Sequence, residues 1–289
     1  MRLVVLAAAV FVVSGCAPAD ASQALRYFGA DTHVTPSTPD ATLRYADHAR
    51  GFAELRLPEG EGPFPLSVIY HGGCWKAGIA TQDYMAPLAA HWQAQGIATL
   101  NVDYREVGDG GGWPGSFEDW QASSALIDQV AQAHPIDRAR VTLAGYSAGA
   151  LPALWLPTAQ NQDGPTGERD AVKARAAIIF DGPADVGLER AAFNRLCRFS
   201  AVSPFMGGSP EEVPARYEAL SSSNTEQQLA EVLFVQAVLP PPPEVVQIAL
   251  GVDVVVATNP GASHFDVITP GSAVYDRNEN AILEVLRSR

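Results

Sequence analysis

The chain has 289 residues, of which 47% are hydrophobic, enough apolar material for a sizeable core. Its formal net charge is −13, which argues against a nucleic-acid partner because such a surface must be basic to replace counterions. The same charge disfavours adhesion to anionic lipid headgroups.

Residues 1–22 have the pattern of an export signal followed by a short tether. An apolar run at residues 3–13 follows Arg2 and is too short to span a bilayer. The run ends in Val13-Ser14-Gly15-Cys16, which resembles the lipobox of bacterial lipoproteins. The resemblance implies a lipid on Cys16, with membrane contact through that lipid only and a periplasmic or cell-surface location. Ordinary cleavage near Ala17 or Ala19 is the alternative.

Residues 23–289 are predicted to form a single α/β domain. Short runs rich in Val and Ile alternate with longer helical patterns, which indicates βα units and a parallel sheet. Strands are expected at residues 66–70, 97–102, 140–144, 176–180, 232–235 and 252–256. The alternating run at 52–57 predicts an antiparallel edge strand at the start. We therefore expect a mostly parallel, twisted sheet of about eight strands with helices on both faces.

Helical patterns at residues 83–95, 117–133 and 150–156 lie between these strands. The less regular region 188–223 predicts a small cap segment over the sheet edge. Ligands of such folds bind at the carboxyl ends of the strands, so chemistry is expected just after each strand.

The strongest chemical motif is Gly145-Tyr146-Ser147-Ala148-Gly149, between a predicted strand and a predicted helix. That context is typical of a nucleophile elbow, in which a strained serine projects above the sheet. Side chains at 145 or 149 would strike the neighbouring backbone. Ser147 is the predicted nucleophile.

Two further motifs follow strands. His71-Gly72-Gly73-Cys74-Trp75 can bring backbone N–H donors to a developing oxyanion, beside the N–H of Ala148. His264 lies past the last predicted strand, and the order Ser before His suits a general base in such a fold.

These motifs resemble the α/β-hydrolase family, and more narrowly its esterase and kynurenine-formamidase-like branch. The resemblance implies that the chain hydrolyses carboxylic esters or small amides through an acyl-enzyme, without a cofactor. It implies oxyanion or substrate-binding roles for Gly72, Gly73, Cys74, Trp75 and Ala148. Asp103, Tyr104 and Arg105 correspond to framework residues.

The family's third catalytic residue, an acid, is missing from its usual place. The loop after residues 232–235 has no carboxylate where that acid is expected, and a proline tract occupies 240–243. Asp181, after the preceding strand, and Glu244, late in the right loop, are the candidates. We favour Asp181 because it stands at the carboxyl end of a strand, although it could also merely cap the next segment.

Beyond Cys16 the chain has two cysteines, Cys74 and Cys197. Cys74 and Cys197 are expected to be two free, largely buried thiols, although export permits a disulfide. No Cys/His cluster has zinc spacing, so no metal is expected. An arylformamidase-like amidase is an alternative activity. A degenerate hydrolase serving as a non-catalytic envelope lipoprotein is the alternative of another class, motivated by the missing acid.

Overall fold

A computed structural model describes residues 34–160, 162–222 and 227–288. The described residues contain an eight-stranded sheet whose spatial order is β1-β2-β4-β3-β5-β6-β7-β8. The strands are β1 Ala41–Arg44, β2 Phe52–Arg56, β3 Phe64–Tyr70, β4 Ala98–Val102, β5 Ile136–Tyr146, β6 Ala176–Phe180, β7 Glu231–Gln236 and β8 Asp253–Thr258. Strands β3 to β8 pair in parallel, which confirms the predicted mostly parallel sheet.

The antiparallel start of the sheet differs in one respect from the prediction. Strand β2 pairs antiparallel with β4, as its alternating pattern predicts. However, β1 pairs with its other side, so β2 is not the edge strand. Strand β1 has only four residues and is at most half-buried, so it carries little of the apolar signal by which strands are recognised.

Helices cover both faces of the sheet. They are α1 Ala86–Ala94, α2 Gly115–Ala133, α3 Ala150–Trp155, α4 Arg190–Cys197, α5 Val202–Met206, α6 Pro214–Ala219, α7 Glu244–Leu250 and α8 Ala273–Arg287. Side chains of α2 and α3 belong to one buried cluster and side chains of α1 and α8 to the other. Strand β3 contributes to both, with Val68 in the first cluster and Ile69 in the second, because successive side chains point to opposite faces.

Helices α4, α5 and α6 occupy the region predicted as a cap. Phe193 of α4 and Phe205 of α5 are fully buried. Their rings lie 4.8 and 4.4 Å from the indole of Trp75. The cap is therefore fastened to the loop after β3 by aromatic packing, which is worth about 0.5–1.5 kcal/mol per ring pair beyond the buried area.

The predicted signal peptide, its tether and Cys16 lie outside the described residues. Within the described ranges, no helix has the length and apolarity needed to cross a membrane.

Candidate active site

Ser147 occupies a strained turn directly after β5. Its φ is 53°, in the left-handed region that non-glycine residues seldom adopt. A Cβ on Gly145 would lie 2.1 Å from the carbonyl oxygen of Gly149, and one on Gly149 would lie 2.1 Å from that of Tyr70. Both positions must therefore be glycine for this turn to form.

His264 and Asp181 form a hydrogen-bonded pair beside that turn. The Nδ1 atom of His264 lies 2.6 Å from Oδ2 of Asp181. Because an ionised carboxylate only accepts, Nδ1 carries the proton and Nε2 is left with its lone pair. The imidazole lies 4.7 Å from the ring of Tyr146, the residue before Ser147. Ser147 and His264 line one cavity.

The loop after β7 binds the carboxylate of Asp181 through backbone hydrogen bonds. Asp181 follows β6 directly, has a φ of 44° and is fully buried. Its oxygens accept hydrogen bonds from the backbone N–H groups of Ala237, Val238 and Leu239 at 2.9–3.0 Å. These contacts fix the carboxylate on both sides. Glu244, the other candidate, is exposed at the start of α7.

The glycine loop after β3 lies against the serine. A Cβ on Gly72 would come within 2.9 Å of the Ser147 Cβ, so only glycine permits this approach. Gly73 and Cys74 line the cavity with Ser147. In the described part of the chain, no backbone carbonyl or side chain accepts from the N–H of either residue. Among the described residues, both N–H groups are therefore free donors on residues that line the cavity of Ser147.

His71 and its neighbours form the frame of this loop. The Nε2 atom of His71 lies 3.0 Å from Oδ1 of Asp103, and its ring stacks on Tyr104 at 4.3 Å. The hydroxyl of Tyr104 donates to the carbonyl of His71 at 2.8 Å. Arg105 donates to Asp119 on α2. These contacts place Asp103, Tyr104 and Arg105 in framework positions.

Trp75 follows the two glycines of this loop and packs in the interior. Its side chain is fully buried, and its Nε1 donates to the carbonyl of Ala148 at 3.0 Å. It packs under the cap and does not line the cavity of Ser147 among the described residues. The oxyanion or substrate-binding role expected for Trp75 stays a prediction; the buried indole supports the turn of Ser147 through its contact with Ala148.

The prediction that Cys74 and Cys197 are free thiols is wrong. Cys74 and Cys197 form a disulfide, with Cα atoms 6.0 Å apart and a separation of 123 positions in the sequence. The bond joins the glycine loop to the end of α4. Spacing alone could not reveal it, because the cap path that brings Cys197 to the loop depends on tertiary packing.

The cavity of Ser147 has a volume of about 1220 Å³, and apolar side chains form part of its lining. Its lining includes Ile79, Tyr84, Leu196, Phe199 and Phe265. Charged side chains also face it: Arg50, Asp83, Arg195 and Arg198.

Glu106 is a buried acid directly behind the glycine loop. A Cβ on Gly73 would lie 3.0 Å from its Oε1 atom, which has no hydrogen-bond partner in the described chain. Its Oε2 atom accepts from Arg50 at 3.1 Å. Burial raises the pKa of Glu106 to about 7, although His71 and Arg50 act to lower it. The sequence motifs carry no signal for this residue.

A comparison with protein-family models now identifies the family. The BD-FAE model matches residues 54–236. The chain belongs to the BD-FAE family, which is an α/β-hydrolase-like esterase family. A comparison with curated proteins finds no match.

Solved structures share the α/β-hydrolase fold at low sequence identity. Esterase B from Lactobacillus rhamnosis is 17% identical with a TM-score of 0.70, over 92% of this chain and 90% of that one. A truncated carbohydrate esterase from gut microbiota is 17% identical with a TM-score of 0.65, over 89% of this chain and 100% of that one. Esterase 2 of Thermogutta terrifontis, phosphonylated by sarin, is 16% identical with a TM-score of 0.64, over 87% of this chain and 95% of that one.

Loss of the disulfide is expected to destabilise the protein. The double variant Cys74→Ser/Cys197→Ser should lose about 2–4 kcal/mol of unfolding free energy in urea, because the cross-link constrains the unfolded chain. Wild type treated with a reductant should shift to the same midpoint. Equal midpoints for wild type and variant, with the bond intact in wild type by thiol titration, would contradict this expectation.

The raised pKa of Glu106 predicts a pH-dependent stability. The folded state holds this proton up to about pH 7, above the ordinary glutamate value of 4.5. The favourable contribution is therefore lost as pH rises toward about 7. Relative to wild type, Glu106→Gln should gain stability with rising pH in this window, by at most about 1.4 kcal/mol per pH unit.

Urea unfolding at a series of pH values measures this difference. The matched control is Glu59→Gln, which changes an exposed glutamate before β3. Its stability curve should run parallel to that of wild type, whereas that of Glu106→Gln should converge on or cross it. Parallel curves for both variants would refute the assignment.

Proposed function

We propose that this protein is an exported, lipid-anchored serine hydrolase that cleaves carboxylic esters through an acyl-enzyme. The observation that carries the proposal is the placement of Asp181, His264 and Ser147. The acid contacts the imidazole at 2.6 Å, and the imidazole and serine share one cavity. Gly73 and Cys74 line the same cavity, and their N–H groups have no acceptor among the described residues.

The proton path follows from the tautomer of His264. With Nδ1–H donating to Asp181, Nε2 takes the proton of Ser147 as its Oγ attacks the ester carbonyl. The same nitrogen then protonates the departing alcohol. In the second half, water attacks the acyl-serine, His264 accepts its proton, and the acid product leaves with Ser147 restored.

Backbone donors stabilise the tetrahedral intermediate. The N–H groups of Gly73 and Cys74, with that of Ala148 after the serine, are the proposed oxyanion hole. Such preorganised donors are worth about 2.7–4 kcal/mol each in the transition state. Gly72 brings the loop close enough to the serine for this role, because its missing side chain leaves room for the Ser147 Cβ.

The contact of Asp181 with His264 bears on the degenerate-hydrolase alternative. That alternative is motivated by an acid missing from the loop after β7. Asp181, after the preceding strand, supplies a carboxylate to His264. The missing acid is therefore no longer a reason to prefer the degenerate-hydrolase alternative. Membership of the kynurenine-formamidase-like branch, and with it activity on small amides, stays a prediction. Among the described residues that line the cavity, no contact favours amide over ester cleavage.

Export is supported by the disulfide as well as by the N-terminal pattern. Disulfides persist in oxidising compartments and are rare in the cytosol. A bond between Cys74 and Cys197 therefore suits a periplasmic or cell-surface location. In that proposal Cys16 carries the lipid, and this lipid is the membrane contact of the folded domain.

A fluorophosphonate probe tests the nucleophile. Incubation of the purified protein should add one probe mass, and Ser147→Ala should abolish the adduct. Ser263→Ala is the matched control, because Ser263 also lines the cavity but has no part in the proposed chemistry. An unlabelled but folded wild type, seen by intact mass and circular dichroism, would overturn the proposed function.

The identity of the acid is tested by labelling and ester hydrolysis rates. Asp181→Asn should lower kcat by up to about 10⁴-fold, because in serine proteases loss of this charge leaves the wrong imidazole tautomer. Glu244→Gln should stay within about twofold of wild type, as is usual for an exposed side chain away from the site. The reverse ranking of the two variants would assign the role to Glu244.

A further inference from the structure

Two arginines in the cavity have no part in the proposed chemistry. Arg195 is near the end of α4, and Arg198 directly follows that helix. Both line the cavity of Ser147 and His264, and both are exposed. Their positive charges therefore face the space in which a substrate would lie.

Neither guanidinium is neutralised by a described carboxylate. Across residues 34–160, 162–222 and 227–288, no ion pair or side-chain hydrogen bond involves Arg195 or Arg198. Arg50, which also lines the cavity, is different: it lies 2.9 Å from Asp103 and 3.1 Å from Glu106. Arg50 is a framework charge, whereas Arg195 and Arg198 are open to a ligand.

The opposing charge in the cavity is small. Asp83 is the carboxylate in the described lining. It accepts hydrogen bonds from the hydroxyl of Thr81 at 3.2 Å and the amide of Gln82 at 3.3 Å. Burial raises the pKa of Asp83. His264 also lines the cavity and is already paired with Asp181.

The disulfide fixes where these charges stand. Cys197 lies between Arg195 and Arg198 in sequence and is bonded to Cys74. Cys74 in turn lines the cavity of Ser147, and its N–H has no acceptor among the described residues. The arginines are therefore held at a set place relative to the oxyanion loop, which is the condition for charge to act on specificity rather than only on solubility.

We propose that Arg195 and Arg198 select esters that carry a carboxylate near the scissile bond. This inference rests on the proposed esterase function. A guanidinium presents two parallel N–H donors to a carboxylate, which gives geometric as well as electrostatic preference. The chain has a net charge of −13, so its overall field repels anionic substrates at long range. The positive charges of Arg195 and Arg198 reverse that field locally at the cavity.

Two matched substrate pairs test the preference. 4-Acetoxybenzoate and 4-acetoxybenzamide differ in charge on the alcohol side of the ester. Mono(4-nitrophenyl) adipate and its terminal amide differ in charge on the acyl side. The readout is the ratio of kcat/KM for the charged ester to that for its neutral partner, measured on the purified protein.

In the variant Arg195→Gln/Arg198→Gln, this ratio should fall by about three- to tenfold for at least one pair, mainly through KM. That is the size expected for the loss of two partly exposed ion pairs. Adding about 0.5 M NaCl should lower the wild-type ratio but change that of the variant little, because salt screens exposed charges. The matched control is Arg190→Gln, at the start of the same helix and outside the cavity lining, which should keep the wild-type ratio.

The outcomes separate the inference from the function on which it rests. Unchanged ratios in the double variant, with neutral esters still hydrolysed and Ser147 still labelled by the probe, would overturn the carboxylate preference alone. Absence of hydrolysis of all the esters together with absence of labelling would overturn the esterase proposal, and the preference with it.

Discussion

The site depends on the buried carboxylate of Asp181. A buried charge is costly unless hydrogen bonds surround it. Here the N–H groups of Ala237, Val238 and Leu239 and the Nδ1 of His264 all point at it. The contacts join the ends of β6 and β7 to the loop that follows β8. The imidazole is therefore oriented by the same interaction that closes this edge of the sheet, so folding and site geometry are not separable here.

The same interaction gives a physical account of the unusual loop after β7. Its job is to supply backbone donors rather than a carboxylate, and the last donor, Leu239, stands directly before the prolines at 240–243. Proline has no N–H and a restricted φ, so the tract adds no competing donor and stiffens the chain beyond the acid. In the proposed site the acid stands one strand earlier, and the loop after β7 holds it through backbone hydrogen bonds.

The central strands and the elbow could be predicted because their signals are local. Strands buried on both faces are continuous apolar runs. A Gly-x-Ser-x-Gly motif directly after such a run can be recognised as a nucleophile elbow from the sequence. Strand β1 and helix α8 were not predicted, the first because it is short and half-exposed. The choice between Asp181 and Glu244, the buried place of Trp75 and the Cys74–Cys197 bond all depend on contacts distant in sequence. Periodicity and motif spacing hold no information about such contacts.

The disulfide and the aromatic contacts of Trp75 together bind the cap to the glycine loop after β3. Trp75 packs against Phe193 and Phe205 of the cap and also donates to the carbonyl of Ala148 in the elbow. Cys197 adds a covalent tie at the end of α4. An opening motion of α4 would have to pull the glycine loop after β3 with it and break buried packing. The cap is therefore better understood as a fixed wall that shapes the cavity than as a lid, and specificity has to reside in the side chains that this wall presents.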